Sequence, residues 1–379
     1  MSTITYNNHF YSGKWEIIDN SVWKYSFNYP QTNKNIVSFD LDDTLISTKS
    51  KKKYPISAND WVEINNSKNR LTELFKTNNI VIFSNQSKMK GQKEMIKSKF
   101  EQIINYFQLP LTVYISGNYD HYRKPNIGMF QLMLKDYYND DINHINSFIF
   151  VGDAAGRLKT KNHPKDFSCS DRKFCYNIGY FYDKIFEFKT PEEYFNNEPE
   201  ESFEWDEFDR SIIKFDQKIN FTPSKTQEII LMVGYPASGK STFYDNYLKP
   251  VGYAHINQDE LKTLSKCLTL TKKYLKEKKS ICIDNTNPSL ETRQKYIQLC
   301  KDNKIPIRCI YFNIDLQTAK FLNLYRANVS DKNIPEISYN VYKKNFIEPT
   351  LKEGFKEMFI TCVNLNSNLI NKKYFYMKY

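Results

Sequence analysis

Short apolar runs alternate with longer amphipathic segments along the first half of the chain. The runs have the length and boundaries of buried strands, and the segments between them have a helical period. The predicted strands are 36–39, 80–83, 111–115 and 147–151. The predicted helices between them are 69–76, 93–106 and 126–138. This order favours a parallel sheet with crossover helices.

The same alternation resumes in the second half, after an acidic change of composition. Further strands are predicted at 229–233, 281–283 and 307–312, and helical segments at 241–247 and 262–279. At 379 residues the chain is about twice the usual domain size. The expected fold is therefore α/β, with two parallel-sheet, three-layer domains. The predicted division is an arm (1–34), a first domain (35–200), an acidic linker (201–225) and a second domain (226–379).

Charge and cysteine content limit the class of protein. The net charge of +11 favours an acidic partner, with nucleic acid first, although a coding bias toward lysine would give the same charge. The basic stretches Lys49–Lys53 and Lys272–Lys279 either follow a phosphate backbone or form solvated faces. Seven cysteines without a C-x-x-C pair indicate a reduced protein.

Membrane and export signals are also missing from the sequence. No apolar run approaches the length of a membrane span, and the first eleven residues are too polar for a signal peptide. We expect a soluble, intracellular monomer that does not bind membranes. Its location would be the nucleus in a eukaryotic cell and otherwise the cytoplasm.

The loop Gly234–Ser241 has the spacing of a P-loop and directly follows a predicted strand. Its turn can aim backbone N–H groups at phosphate oxygens, while Lys240 adds a cation and the Ser241 hydroxyl can ligate Mg²⁺. The pattern predicts a bound nucleoside triphosphate and leaves the phosphoryl acceptor open. The residues expected to contact the nucleotide are Gly234, Ser238, Gly239, Lys240, Ser241 and Thr242.

Polar residues follow four strands of the first domain, where open α/β sheets bind ligands. Asp40 and Asp42 are two positions apart, so both carboxylates can face one cleft. Such a pair suits a phosphate hydrolysis in which one carboxylate attacks phosphorus while the other protonates the leaving oxygen and then activates water. Ser84 fits a phosphate donor, Lys124 a stabilising charge and Asp153 a metal ligand. The predicted Mg²⁺ ligands of both domains are Asp40, Asp42, Asp153 and Ser241.

The second domain offers four further candidates for phosphoryl transfer. Asp259 can accept or orient the proton of an attacking hydroxyl, and Asp284 occupies a Walker-B-like position. Arg293 and Arg326 lie on predicted helical segments, where a lid arginine can neutralise charge on the transferring group. The alternative for each arginine is a solvated surface position.

The motif order of the first domain is similar to that of the haloacid dehalogenase superfamily. Over about 35–360, the chain resembles the bifunctional polynucleotide kinase 3′-phosphatase family. The similar segments are 40–44, 84–86, 124–129, 151–157, 166–172, 190–195, the P-loop, 284–288 and 346–355.

This resemblance implies a DNA-end repair enzyme, with a haloacid dehalogenase-like (Rossmannoid) domain followed by a P-loop kinase. Asp40 would be the nucleophile that removes a 3′-phosphate through an aspartyl-phosphate, with Asp42 as general acid/base. Asp259 would be the base for transfer of the γ-phosphate of ATP to a 5′-hydroxyl. The 3′-hydroxyl and 5′-phosphate products are those a ligase needs. The implied catalytic set is completed by Ser84, Lys124, Lys240 and Arg326.

Three departures from the family pattern affect these expectations. The 34 residues before the first domain cannot hold the phosphopeptide-binding domain of animal members. Leu324 replaces the first of two expected arginines, so lid chemistry would rest on Arg326, and Gln258 replaces an arginine before Asp259.

The sequence leaves two other functions and three residue roles open. One alternative is an enzyme that heals RNA ends, which the 2′-hydroxyl would distinguish. The other is a non-enzymatic scaffold that binds nucleic-acid ends. The roles of Asp171, Asp284 and Arg293 also stay open.

Overall fold

A computed structural model describes residues 3–86, 91–161, 163–217, 219–330 and 332–379. Its contacts divide the chain into two units, Met1–Glu207 with Lys372–Tyr379, and Phe208–Asn371. Both units contain parallel sheets with crossover helices, which confirms the predicted α/β class. No helix in the described ranges is long and apolar enough to cross a membrane.

The described residues of the first unit form ten strands and five α-helices before residue 200. The strands are β1 (Thr3–Tyr6), β2 (His9–Ile18), β3 (Val22–Phe27), β4 (Asn35–Phe39), β5 (Ile46–Ser47), β6 (Val62–Glu63), β7 (Asn79–Asn85), β8 (Thr112–Ser116), β9 (Ser147–Val151) and β10 (Glu187–Lys189). The helices are α1 (Ser67–Leu74), α2 (Lys93–Phe107), α3 (Gly128–Tyr138), α4 (Ser170–Tyr182) and α5 (Pro191–Asn196).

The main sheet of the first unit has the order β1-β2-β3-β8-β7-β4-β9-β10. Strands β8, β7, β4, β9 and β10 are parallel, while β1, β2 and β3 add an antiparallel edge through the β3–β8 pairing. Strands within residues 3–27 are thus part of the sheet, where the sequence predicted an arm packed on the first domain. Their mixed aromatic and polar residues show no long periodic run, so the sequence pattern did not predict these strands.

Two apolar layers cover the faces of this sheet. One packs α2 residues such as Phe100 and Ile103 against β4 and β7. The other packs Phe130 of α3 and Phe174 of α4 against the opposite face. Because β4 is buried on both faces, the residues that follow it are held on a rigid strand.

The strands and helices of the second unit are numbered on from those of the first. Its strands are β11 (Lys214–Phe215), β12 (Ile229–Gly234), β13 (Ala254–Ile256), β14 (Ile281–Ile283), β15 (Ile307–Phe312), β16 (Glu357–Thr361) and β17 (Asn364–Leu365). Its helices are α6 (Lys240–Phe243), α7 (Gln258–Leu261), α8 (Leu264–Lys276), α9 (Leu290–Asp302), α10 (Leu316–Ser330) and α11 (Glu336–Asn345). Helix α6 continues as a π-helical turn, Tyr244–Leu248.

The main sheet of the second unit is fully parallel, with the order β13-β14-β12-β15-β16. Ile229 and Leu231 of the central strand β12 pack into one apolar cluster, and Ile230 and Met232 pack into the other. This alternation places apolar layers on both faces. The carboxyl ends of β12, β13 and β14 meet at one edge, where the candidate kinase residues follow.

The contact division places 1–34 in the first unit, splits the predicted linker 201–225 after Glu207, and assigns the end of the chain to the first unit. The stretch up to Glu207 stays with the first unit, since Arg172 of α4 pairs with Glu200 at 2.6 Å and lies 3.6 Å from the centre of the Phe203 ring. The last eight residues also join it, including a final helix, α12 (Lys372–Phe375). There Met377 is fully buried among first-unit side chains. Local sequence predicts neither the contacts of Arg172 with Glu200 and Phe203 nor the burial of Met377.

Candidate active sites

In the first unit, a buried lysine lies between two carboxylates at the ends of the parallel strands. Asp40 follows β4, and its Oδ1 accepts a hydrogen bond of 2.6 Å from Lys124 Nζ. Lys124 Nζ also pairs with Asp171 Oδ1 at 2.7 Å. Burial lowers the pKa of Lys124, but Asp171 and Asp40 outweigh that effect and raise it overall. The two carboxylates therefore favour the charged form of Lys124 beside Asp40.

Asp40, Asp153 and Asp171 form a group that can hold a metal ion. Each offers a carboxylate oxygen, and these oxygens lie within 4.8 Å of one another. Burial, together with repulsion from Asp171 and Asp42 and against the attraction of Lys124, raises the pKa of Asp40 to about 7. Burial also raises the pKa of Asp153, with Asp171 and Asp40 adding to the effect. Carboxylate oxygens are ligands that Mg²⁺ prefers, so the donor set fits this ion.

The predicted metal set and the observed group overlap only in part. Asp40 and Asp153 belong to the group, whereas Asp42 does not, and Asp171 is an addition. Asp171 lies in the family-like segment 166–172, and its role could not be assigned from the sequence. Its position in the first turn of α4 brings it back to the strand ends, where its Oδ2 accepts from Ala154 N at 3.1 Å. A Cβ on Gly152 would lie 2.4 Å from this Oδ2, so Asp171 can approach only a glycine here.

Asp42 is held by two donors instead. Lys99 Nζ of α2 donates to Asp42 Oδ1 at 2.5 Å, and Gln86 Nε2 donates to Asp42 Oδ2 at 2.6 Å. The same Gln86 amide nitrogen reaches Ser84 Oγ at 2.9 Å, which links Asp42 to the predicted phosphate donor. Lys99 was absent from the sequence prediction, because it is one lysine among several on an amphipathic helix.

The backbone that carries Lys124 is fixed by two asparagine side chains. Asn85 accepts from Lys124 N at 3.1 Å and donates to Lys124 O at 3.0 Å. Asn177 of α4 donates to Pro125 O at 2.9 Å. Residues of β7 and α4 thus hold the lysine that pairs with Asp40.

In the second unit, the P-loop connects β12 to α6. Lys240 Nζ donates to Gly234 O at 3.1 Å, Tyr235 O at 2.6 Å and Ser238 Oγ at 3.2 Å. Burial lowers the pKa of Lys240 to about 8, against the attraction of Asp284 and Asp259. A Cβ on Gly234 would lie 2.8 Å from Phe312 Cβ, so close packing requires glycine there.

Asp284 is joined to the P-loop serine. Ser241 Oγ donates to Asp284 Oδ2 at 2.7 Å, and His255 Nε2 lies 3.0 Å from the same oxygen. Burial opposes ionisation of Asp284, but the hydrogen bonds from His255 and Ser241 lower its pKa overall. An ionised carboxylate beside a serine hydroxyl suits a Mg²⁺ site of the P-loop type. His255 was not singled out from sequence.

A cavity of about 890 Å³ opens beside the P-loop. Predicted residues that line it are Ser238, Gly239, Lys240, Ser241, Thr242, Asp259, Asp284 and Arg326. Gly234 and Arg293 are not among its lining residues. Tyr325 and Val329 of α10 and Val341 and Tyr342 of α11 are among the lining residues from the two late helices. The cavity therefore brings the phosphate loop, a candidate base and a candidate lid arginine together.

The two candidate arginines differ in their surroundings. Arg293 of α9 is fully buried and forms a two-point ion pair with Glu353, at 2.8 and 2.7 Å. Its Nη1 donates to Asn287 O and Pro288 O, at 3.2 and 2.9 Å. Arg326 of α10 lines the cavity, and its Nε has no hydrogen-bond partner among the described residues. Arg293 is thus occupied by contacts within the fold, whereas Arg326 borders the cavity.

Comparison with known proteins gives a consistent set of relatives. The family model described as polynucleotide kinase 3 phosphatase matches residues 35–195. A bifunctional polynucleotide phosphatase/kinase of Schizosaccharomyces pombe is 35% identical over 353 residues, covering 90% of this chain and 83% of that protein. A putative bifunctional polynucleotide phosphatase/kinase of Acanthamoeba polyphaga mimivirus is 37% identical over 368 residues, covering 85% and 83%. A solved putative HAD-like phosphatase from Mesorhizobium loti gives a TM-score of only 0.31 at 14% identity, covering 37% of this chain and 74% of that one.

Proposed function

Because the chain belongs to the bifunctional polynucleotide phosphatase/kinase family, and so acts as a 3′-phosphatase and a 5′-hydroxyl kinase on polynucleotide ends, we propose how its two units divide the work. The first unit removes the 3′-phosphate through an aspartyl-phosphate, and the second phosphorylates the 5′-hydroxyl with ATP. The observation that carries this proposal is the buried Asp40–Lys124–Asp171 arrangement with Asp153 beside it.

In the phosphatase reaction, Asp40 is the nucleophile. A carboxylate oxygen of Asp40 forms a bond to phosphorus while the bond from phosphorus to the 3′-oxygen breaks, and Asp42 gives its proton to that oxygen. Asp42 then takes a proton from the water that attacks the aspartyl-phosphate, which releases phosphate and restores Asp40. Lys124 and Ser84 stabilise the phosphoryl oxygens.

Asp40, Asp153 and Asp171 are the residues that would hold Mg²⁺ in the first unit. When bound, the ion offsets the repulsion between an anionic nucleophile and an anionic phosphate. The carboxylates with raised pKa support this assignment, since a divalent cation favours their ionised forms.

In the kinase reaction, Asp259 accepts the proton of the 5′-hydroxyl that attacks the γ-phosphate of ATP. Lys240 and Arg326 stabilise the charge on the transferring group, and Ser241 with Asp284 would hold Mg²⁺. Their shared position around one cavity supports these roles. The products of both reactions are a 3′-hydroxyl and a 5′-phosphate, the ends that a ligase joins.

A nicked duplex with a 3′-phosphate and a 5′-hydroxyl tests the proposal directly. Asp40→Asn is expected to lower 3′-phosphate removal by about 10³-fold or more while 5′-phosphorylation stays within about twofold. Lys240→Met is expected to do the reverse, and ATP should be needed only for the kinase product. Loss of both activities in either variant would contradict separate sites.

The same assay with RNA ends of matched sequence addresses the polynucleotide preference. We propose DNA ends as the main substrate, so the kcat/KM for DNA should exceed that for RNA. A clear preference for RNA would support the RNA-end alternative, because the 2′-hydroxyl is the group that differs.

A further inference from the structure

The two oxygens of Asp42 have different partners. Oδ1 accepts from Lys99 Nζ at 2.5 Å, and Oδ2 accepts from Gln86 Nε2 at 2.6 Å. The Lys99 side chain is 2% exposed, whereas that of Asp42 is 39% exposed. A buried ammonium needs a partner, and Asp42 supplies it.

The charges of these two partners favour one oxygen of Asp42 as the carrier of a proton. Lys99 Nζ and the Gln86 amide nitrogen both only donate, so each oxygen of Asp42 accepts one hydrogen bond, but Oδ1 faces a full positive charge and Oδ2 faces a neutral amide. A proton on Oδ1 would lie directly against this charge, so the geometry favours Oδ2 as the oxygen that carries the proton. Gln86 connects Oδ2 to Ser84 Oγ, so this oxygen lies on the side of the predicted phosphate donor.

We propose that Lys99 is a positioning residue of the 3′-phosphatase, which holds Asp42 through Oδ1 so that the leaving 3′-oxygen receives its proton from Oδ2. This inference rests on the proposed function, because it deepens the role of Asp42 as general acid. As phosphorus bonds to Asp40, the electron pair of the broken bond goes to the 3′-oxygen, which takes the Oδ2 proton. Asp42 is left as a carboxylate, and Lys99 keeps its three protons throughout.

A change of leaving group separates this role from a structural one. An alkoxide leaving group needs a proton from a general acid, whereas a thiolate leaves without one. The two substrates are oligonucleotides with a 3′-O-phosphate or a 3′-S-phosphate, in which sulfur replaces the bridging oxygen. Single-turnover release of the strand follows only the first chemical step.

Lys99→Met has nearly the same shape as the native residue and carries no charge. It is expected to slow strand release from the 3′-O-phosphate by about 100-fold, the usual size of a general-acid effect. Release from the 3′-S-phosphate should change by less than about threefold, since no proton is needed there. Equal slowing on both substrates, or no slowing on either, would overturn the proposal.

Lys97→Met is the matched control, because Lys97 lies on the same helix and contacts the rings of Trp15 and Trp23 instead of Asp42. It should alter neither substrate. Asp42→Asn tests the proposed function by itself: it should show the same selective loss, and uniform slowing would refute general-acid catalysis by Asp42 whatever Lys99 does.

Lys99→Gln keeps the test decisive if thermal unfolding shows that the methionine variant is misfolded. Its amide still donates to Oδ1 but carries no charge, so we expect about tenfold slowing on the oxygen substrate and none on the sulfur substrate. Equal slowing of both substrates by a folded Lys99→Gln would also overturn the proposal.

Discussion

Replacing Glu353 by alanine tests whether Arg293 supports the fold or the reaction. The substitution leaves a fully buried guanidinium without its two-point partner. Arg293 also holds the backbone after Asp284 through Asn287 O and Pro288 O. Two family-like segments, 284–288 and 346–355, thus meet at one arginine. We expect Glu353→Ala to destabilise the second unit strongly.

The size of the effect follows from the burial of both partners. Their side chains are 0% and 7% exposed, and removing one partner of such a pair costs about 3–5 kcal/mol. Glu353 additionally accepts from Thr350 N, as part of a capping box, which favours the upper end of this range. In a domain of this size each kcal/mol lowers Tm by about 2–4 °C, so the expected loss is roughly 10 °C.

Calorimetry of the full chain, with the kinase unit identified by hydrogen exchange, measures this loss. Glu291→Ala is the matched control, because Glu291 forms an exposed pair of 2.8 Å with Lys295 on the same helix. Its removal should cost less than about 0.5 kcal/mol. Arg293→Met with Glu353→Leu should recover most of the stability, since an apolar pair can replace a buried ion pair.

An unchanged unfolding transition of the second unit in Glu353→Ala would show that the Arg293–Glu353 pair does not stabilise the fold. A folded variant with normal Tm and slow 5′-phosphorylation would instead place Arg293 in the reaction. That result would also mean that Arg293, like Arg326, takes part in phosphoryl transfer.

Two further predictions concern the first unit. Asp171→Asn removes one of three carboxylates, so it should weaken Mn²⁺ binding to the full chain at the first-unit site by about 10-fold or more and slow the phosphatase. An unchanged Mn²⁺ affinity in calorimetric titration would refute the metal assignment. Deleting 372–379 should lower the Tm of the first unit, since Phe375 and Met377 are almost fully buried and each large apolar side chain contributes about 2–5 kcal/mol; an unchanged first transition by calorimetry would contradict this.

The strand pattern and the strand-end chemistry could be predicted because both are local. Apolar runs such as 147–151 need no distant partner to be recognised, and the structure has a strand over those residues. The P-loop and the Asp40–Asp42 pair are likewise read from spacing along one segment. The antiparallel edge β1–β3 could not be predicted in this way, because its pairing with β8 joins residues about ninety positions apart.

The site residues that the sequence did not predict lie on helices, and their position depends on tertiary contacts. Asp171 reaches the metal group from the first turn of α4, and Lys99 reaches Asp42 from α2. Among 54 lysines and arginines, nothing in the local sequence marks Lys99. Burial of its charge beside a carboxylate marks it, and burial is a property of the folded chain.

Tertiary contacts also separate Arg326, which the family resemblance implies as the lid arginine, from Arg293, whose role the sequence left open. A guanidinium has five donors, and Arg293 directs hydrogen bonds from Nε, Nη1 and Nη2 to Glu353 and two backbone carbonyls. It cannot turn to a phosphate without leaving a buried carboxylate unpaired. Arg326 lines the cavity beside Lys240, and its buried Nε has no partner within the described part of the chain. Its Nη2 donates to Asn323 Oδ1 at 3.1 Å, and its place on the wall of the cavity supports Arg326 as the lid arginine even with leucine at position 324.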